Sequence, residues 1–181
     1  MRTAQMGVVS AVVVAAALVT GGCHSKSSAT PENFIKGLNA HFAEHPDCLL
    51  PDAPHFPYET TDPEKTKQMN ALVTVQLLKV SVERDIHASR YVTTPMGDRL
   101  APRFCYGHRV VTAVDSFTPP TPRNGFPETD VAYKYHIEDL PIWAQSQAVK
   151  DAFPNMAKQV SGDSTDKATL AGTITGWQVP D

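Results

Sequence analysis

The feature that most limits what this chain can fold into is the apolar segment at its N-terminus. Arg2 is the only charged residue among the first 23, and the residues from Val8 to Val19 are apolar apart from Ser10. A positive start, an apolar stretch of roughly 7–15 residues and small residues before a cleavage point form a secretory signal peptide. The stretch is shorter than the roughly 20 apolar residues of a membrane-spanning helix. We therefore predict a removable signal over residues 1–22, which leaves 159 of the 181 residues to fold.

The residues that end this segment resemble the lipobox of bacterial lipoproteins. Gly21, Gly22 and Cys23 match the family pattern, and Thr20 stands where the family usually has an aliphatic residue. The resemblance implies lipidation of Cys23, with a diacylglyceryl group on its thiol and an acyl chain such as palmitate on its amino group. Several chains on one residue give stable anchoring, which a single chain does not. The alternative is an ordinary cleaved signal peptide with an incidental cysteine.

The lipoprotein resemblance also implies a cellular location and the boundaries of the mature domain. It implies a lipid-anchored protein of the cell envelope. In Gram-negative bacteria His24 favours the periplasmic face of the outer membrane, because retention in the inner membrane typically uses an aspartate at that position. Residues 23–29 are polar and Ser-rich after the cysteine, which predicts a lipidated end and a flexible tether. Residues 30–181 are then predicted to form a single domain of ordinary size.

The cysteine count agrees with export. With Cys23 assigned to lipid, Cys48 and Cys105 remain as an even pair in an oxidising compartment. A disulfide between them would close a loop of 57 residues, which the chain-entropy model values at about 4 kcal/mol. A catalytic thiol at either position is the alternative, and the neighbouring residues do not support one.

The charge balance argues against nucleic-acid binding. The chain has 16 Lys and Arg residues against 19 Asp and Glu residues, and removing Arg2 with the signal leaves a net charge of −4. Proteins that bind nucleic acids concentrate basic residues on one face, and no such cluster is visible in this sequence. The predicted partners are the membrane, through the lipid anchor, and an envelope protein or a small ligand.

Helical patterns predict that the N-terminal half of the domain is helical. Thr30 and Pro31 form a capping pair before a helix that extends to about His45. Asp62 and Pro63 form a second start of the same kind. Each is followed by apolar residues at helical spacing, which indicates one buried face per helix.

The C-terminal half has the patterns of strands. Residues 103–117 are rich in valine, residues 131–138 alternate between apolar and polar, and residues 167–179 form a last extended segment. A helix is predicted over about 146–160, and Pro154 must kink or divide it. The predicted fold class is α+β, with an N-terminal helical half followed by a small antiparallel sheet of about three strands with a packed helix.

Residues 64–100 resemble a winged-helix domain. Leu72-Val73 and Leu77-Leu78 are similar to the end of the family's recognition helix, and Thr94-Pro95-Met96-Gly97 is similar to the segment leaving the wing. The resemblance implies a winged-helix-like shape for the N-terminal half. Because the chain is predicted to be exported and this helix carries few basic residues, the resemblance implies shared shape and not DNA reading.

The sharpest candidate for chemistry is the segment from His41 to His45. His-x-x-Glu-His is the pattern of inverted zinc proteases, in which histidines on one helical face bind zinc and the glutamate, here Glu44, acts as a base. Pro46 ends the helix at once, and the sequence places no third ligand. The structural alternative is a pair of half-buried histidines that the helix dipole favours near the C-terminus.

Two functional hypotheses follow from these patterns. The leading one is a non-enzymatic, lipid-anchored binding module of the cell envelope, for which no cofactor is predicted. The alternative is a small metal-dependent hydrolase that uses His41, Glu44 and His45. They differ in whether the two histidines and the glutamate converge on a metal ion.

Overall fold

The computed structural model describes residues 25–83 and 87–180. The predicted signal peptide over 1–22, Cys23 and His24 lie outside the described residues. The helices are α1 (Pro31–Glu44), α2 (Pro63–Thr74), α3 (Gln147–Ala152) and α4 (Pro154–Gln159). The strands are β1 (Asp47–Cys48), β2 (Tyr58–Thr60), β3 (Leu78–Glu83), β4 (Ala88–Thr93), β5 (Cys105–Phe117), β6 (Thr121–Arg123), β7 (Phe126–Glu138), β8 (Ser164–Thr173) and β9 (Gly176–Gln178).

The local predictions of helix starts are confirmed. The Thr30 side chain accepts a hydrogen bond from the Asn33 N–H, and α1 starts at the following proline. The Asp62 carboxylate accepts from the Lys65 N–H at 2.8 Å, and α2 again starts at the following proline. Pro154 divides the predicted C-terminal helix, because it can occupy the first turn of α4 but not the interior of a continuous helix.

The larger sheet is antiparallel and curled, in the order β1-β5-β7-β8-β9, and β6 pairs with β7. Register shifts interrupt the β5–β7 pairing at two places, next to Val111 and next to Val114. Such irregularities bend and twist a strand. The sheet curls so that β5 and β9, which are separated by two strands, both contact α1. The buried faces of α1 and of this sheet form one core, made of Phe34, Leu38, Phe42, Val111, Val131, Tyr133, Tyr135, Leu170 and Trp177.

A second sheet, in the order β2-β4-β3, belongs to a different core. The helix α2 contacts both β3 and α3, and α3 contacts α4. Buried side chains of these elements cluster together with the start of β5. The main members of this second core are Leu49, Met69, Leu72, Leu77, Leu78, Tyr91, Phe104, Tyr106, Val149, Phe153 and Met156.

The prediction of an N-terminal helical, winged-helix-like half is wrong. The first half contributes the four strands β1 to β4 beside its two helices, and the larger sheet has six strands in the described residues, not about three. The helix packed on that sheet is α1 from the first half, whereas α3 and α4 from the second half join the core of α2. Periodicity shows which face of a segment is buried, but it does not show which distant segment covers that face.

The residues that carry the winged-helix resemblance have a structural role in this fold. The buried Thr94 hydroxyl donates to the carbonyl oxygen of Gln76 at 2.7 Å and accepts from the Gly97 N–H at 3.0 Å. A Cβ atom at position 97 would overlap the carbonyl oxygen of Leu77. Residues 94–97 therefore pack directly against Gln76 and Leu77, which follow α2. Any side chain larger than that of glycine at position 97 would overlap the backbone there.

One polar side chain of α1 completes the backbone hydrogen bonding of β5. The Asn39 Oδ1 accepts from the Val111 N–H at 2.7 Å, and the Asn39 Nδ2 lies 3.4 Å from the Val111 carbonyl oxygen, to which it donates. The strand β1 pairs with β5 only as far as Gly107, so the side chain takes the place of a neighbouring strand at Val111. These two hydrogen bonds fix the position of α1 along β5.

We expect Asn39→Ala to lower the free energy of unfolding by about 1–3 kcal/mol, because it leaves a partly buried N–H and carbonyl group without partners. Chemical denaturation of the two proteins measures the difference. Helix propensity alone would make the alanine variant slightly more stable. An unchanged or raised stability would therefore show that Asn39 does not hold β5.

Candidate functional site

A cleft of about 370 Å³, with both polar and apolar side chains in its lining, lies between α1 and β9. One wall is the face of α1 that turns away from the larger sheet's interior, and the other wall is β9 with the turn before it. The segment that enters the domain at Ser25 forms part of the rim. The residues that line the cleft are Lys26, Asn33, Lys36, Gly37, Ala40, His41, Glu44, His45, Thr175, Gly176, Trp177, Gln178 and Val179.

The floor of the cleft is set by a close approach of two backbones. A Cβ atom at Gly37 would overlap the carbonyl oxygen of Trp177, so a glycine is needed where α1 meets β9. The Trp177 indole packs edge-on against Phe34, with ring centroids 5.0 Å apart. Its Nε1–H donates to the carbonyl oxygen of Ser28 at 3.0 Å. A single buried tryptophan therefore joins β9, α1 and the entering segment.

The charges around the cleft favour an anionic group. Two lysines, Lys26 and Lys36, line it, whereas Glu44 is the one carboxylate among the described lining residues. The chain as a whole has a net charge of −3, so this local excess of positive charge runs against the average of the molecule. Clefts lined by one sign of charge concentrate ligands of the opposite sign.

The residues that have the spacing of a zinc-protease motif, His41, Glu44 and His45, all line this cleft. The rings of His41 and His45 stack in parallel, with centroids 4.1 Å apart and an interplanar angle of 13°. The His45 Nδ1 lies 2.8 Å from the His41 carbonyl oxygen, a distance at which the protonated nitrogen donates. The His41 carbonyl oxygen therefore occupies one ring nitrogen of His45. Across residues 25–83 and 87–180, no group of three or more His, Cys, Asp or Glu side chains is placed to hold a metal ion.

The end of the predicted tether is held against the domain. The Asn33 side chain donates to the carbonyl oxygens of Ser25 and Ser28, at 3.0 and 2.9 Å. The Ser28 N–H in turn donates to the Ser25 carbonyl oxygen at 2.9 Å. From Ser25 onward the described part of the predicted tether is therefore hydrogen-bonded to the start of α1, beside the cleft that Lys26 lines. Within the part of the chain that the structure describes, no helix has the length and apolar character needed to cross a bilayer.

A second polar cluster, which the sequence analysis missed, surrounds Arg109 on β5. Its guanidinium group lies between the rings of Phe42 and Tyr135, at 5.2 and 4.7 Å from their centroids. It donates to both carboxylate oxygens of Asp47 at 3.0 Å and to Asp166 at 2.7 Å. Arg109 thereby links α1, β1, β7 and β8. In the sequence, the signal that could have indicated this cluster is Arg109 itself, a charged residue within a valine-rich segment that was predicted to be a strand.

The ionisation of this cluster follows from its burial. Burial lowers the pKa of Arg109, but the hydrogen bond and negative charge of Asp47, together with the hydrogen bond to Asp166, outweigh it and leave the pKa raised. Burial raises the pKa of Tyr133 to about 12, although the hydrogen bond and charge of Arg109 oppose the change. All three guanidinium nitrogens donate to acceptors of the protein itself. The cluster therefore holds elements together, and the cleft remains the candidate for ligand binding.

The predicted disulfide is confirmed. Cys48 on β1 and Cys105 on β5 face each other in the β1–β5 pairing and are covalently bonded. Asp47, the partner of Arg109, is the residue before Cys48. The short strand β1 is thus held to β5 both covalently and by an ion pair, directly after the end of α1.

No protein-family model, no curated protein and no solved structure matches this chain.

Proposed function

We propose that this protein is a lipid-anchored binding module of the cell envelope, in which the α1–β9 cleft takes a small ligand with an acidic group. One observation carries the proposal. Lys26 is three residues from the lipidation candidate Cys23 and also lines the cleft, so the anchor and the candidate binding site share one end of the molecule.

Two further features support this proposal. The Cys48–Cys105 disulfide fits the oxidising environment outside the cytoplasm, where such bonds persist. The excess of positive charge in the cleft fits an acidic ligand. The stacked histidines lack a third metal ligand among the described residues, so the geometry favours binding over metal-dependent hydrolysis.

The anchor is tested by replacing Cys23 with serine in cells that process lipoproteins. We expect the wild-type protein in the membrane fraction, with an intact mass that places acyl chains on an N-terminal Cys23. We expect Cys23→Ser to lose the acyl mass and the membrane association that survives high salt, because each buried methylene contributes about 0.8 kcal/mol to anchoring. Ser27→Ala, which changes an exposed neighbour, is the matched control and should keep both. An unmodified Cys23 in the wild-type protein would overturn the anchor.

A further inference from the structure

We propose that one surface of the domain rests on the bilayer and that Ile174 enters its interface. This surface, the membrane face, consists of Lys26, Lys36, Ile174 and Thr175. The inference depends on the proposed lipid anchor at Cys23, and it goes beyond that anchor because it fixes how the domain is oriented.

The length of chain between the anchor and the domain is the first argument. Ser25 is tied to the domain by the hydrogen bonds of its carbonyl oxygen with Asn33 and Ser28. Only two chain links separate the Cα atoms of Cys23 and Ser25, and two links span at most about 7 Å. The polar layer on each side of the hydrocarbon core is roughly 5–8 Å thick. A lipidated Cys23 therefore places Ser25 at the level of the lipid headgroups.

The position of Ile174 is the second argument. Its side chain is fully exposed, at 101% of the reference area, in the turn between β8 and β9. The turn lies beside the entering segment, because a Cβ atom at Gly176 would come within 3.5 Å of the Lys26 carbonyl oxygen. A single exposed isoleucine is common on protein surfaces. Ile174 differs because it lies next to the segment that carries the anchor. Its side chain can enter the membrane interface there without any rearrangement of the domain.

Charge complementarity is the third argument. Lys26 and Lys36 line the cleft that opens beside the same turn, and Glu44 is the one described carboxylate that lines it with them. Lysines close to an anionic membrane surface are attracted to its headgroups. Apolar side chains beside lysines are also the composition of amphipathic helices that lie in the membrane interface. The bilayer surface is therefore the partner of the membrane face that the anchor, Ile174 and the two lysines favour together, and the α1–β9 cleft opens beside that face.

The orientation can be measured with the lipidated full chain in vesicles of phosphatidylcholine and phosphatidylglycerol. Cys23 is blocked by lipid and the other two cysteines are bonded, so Ile174→Cys adds one reactive thiol for an environment-sensitive fluorophore. Ile142→Cys is the matched control, because Ile142 is 88% exposed and lies beside α2 at the other core. We expect lipids with a quencher on the upper acyl chain to quench the label at 174 at least threefold more than the label at 142. Adding Lys36→Glu should reduce the quenching at 174 in vesicles that contain phosphatidylglycerol.

The outcomes separate the two proposals. Protein that enters the vesicles but shows equal quenching at both positions, or stronger quenching at 142, would overturn the orientation and leave the anchor standing. Protein with an unmodified Cys23 that does not associate with the vesicles would overturn the anchor, and the orientation with it.

Discussion

Replacing both Cys48 and Cys105 with alanine should lower the free energy of unfolding by about 4 kcal/mol. The bond closes a loop of 57 residues, and in the chain-entropy model a cross-link of that span removes this much freedom from the unfolded chain. The loop contains β2, α2, β3 and β4, so most of the second core lies between the bonded cysteines. Urea denaturation of the wild type and the double variant measures the loss.

Reductant provides the control for this prediction. The wild-type protein should lose a similar amount of stability when a thiol reductant is added, whereas the double variant should not respond to it. Denatured, unreduced wild-type protein should show no free thiol from these two cysteines. Two reactive thiols besides Cys23, or a wild-type stability that reductant does not change, would contradict the bond.

Replacing Arg109 with methionine should lower the free energy of unfolding by about 3 kcal/mol. The side chains of Arg109 and Asp47 are each only 16% exposed, and removing one partner leaves a largely buried carboxylate without its counter-charge. Methionine keeps an apolar side chain of similar length between Phe42 and Tyr135, so the loss reports mainly on the charge and hydrogen bonds. Chemical denaturation at neutral pH is the measurement.

A second ion pair of this protein is the matched control. Arg90 and Glu59 form a 2.9 Å contact between β4 and β2, but their side chains are 39% and 41% exposed. Exposed pairs contribute about 0–1 kcal/mol, so Arg90→Met should have a small effect. Equal losses for Arg90→Met and Arg109→Met would show that the buried cluster has no special role. Adding Asp47→Leu to Arg109→Met should recover part of the lost stability, since the unpaired carboxylate is then removed.

Both of these large effects arise at the same place in the fold. The two-residue strand β1 contains both Asp47 and Cys48, and it directly follows α1. Its ties to β5 fix the C-terminal end of α1, while Asn39 fixes the middle and Trp177 the beginning. The shape of the α1–β9 cleft therefore depends on contacts that join α1 and β1 to strands far from them in the sequence.

Several features of this protein follow from short stretches of sequence. Thr30 and Asp62 start the two long helices because a capping side chain and a following proline act within one turn. The alternation over residues 131–138 indicates a strand because its period reflects the pleat of a single segment. The disulfide follows from counting, once one of three cysteines is assigned to lipid. Each of these inferences needs only local geometry or composition.

Other features depend on which distant segments meet, and only the tertiary structure decides them. The helix α1 crosses to the sheet built by the second half, so the predicted division into a helical half and a sheet half is wrong. His41 and His45 have the spacing of metal ligands, yet ring stacking and a backbone carbonyl determine their orientation. The sequence around Arg109 does not indicate its partners, because Asp47 and Asp166, which form ion pairs with it, belong to two other strands. The periodicity of a segment indicates which of its faces is buried. It does not indicate which other segment covers that face, because this depends on packing between segments that are far apart in the sequence.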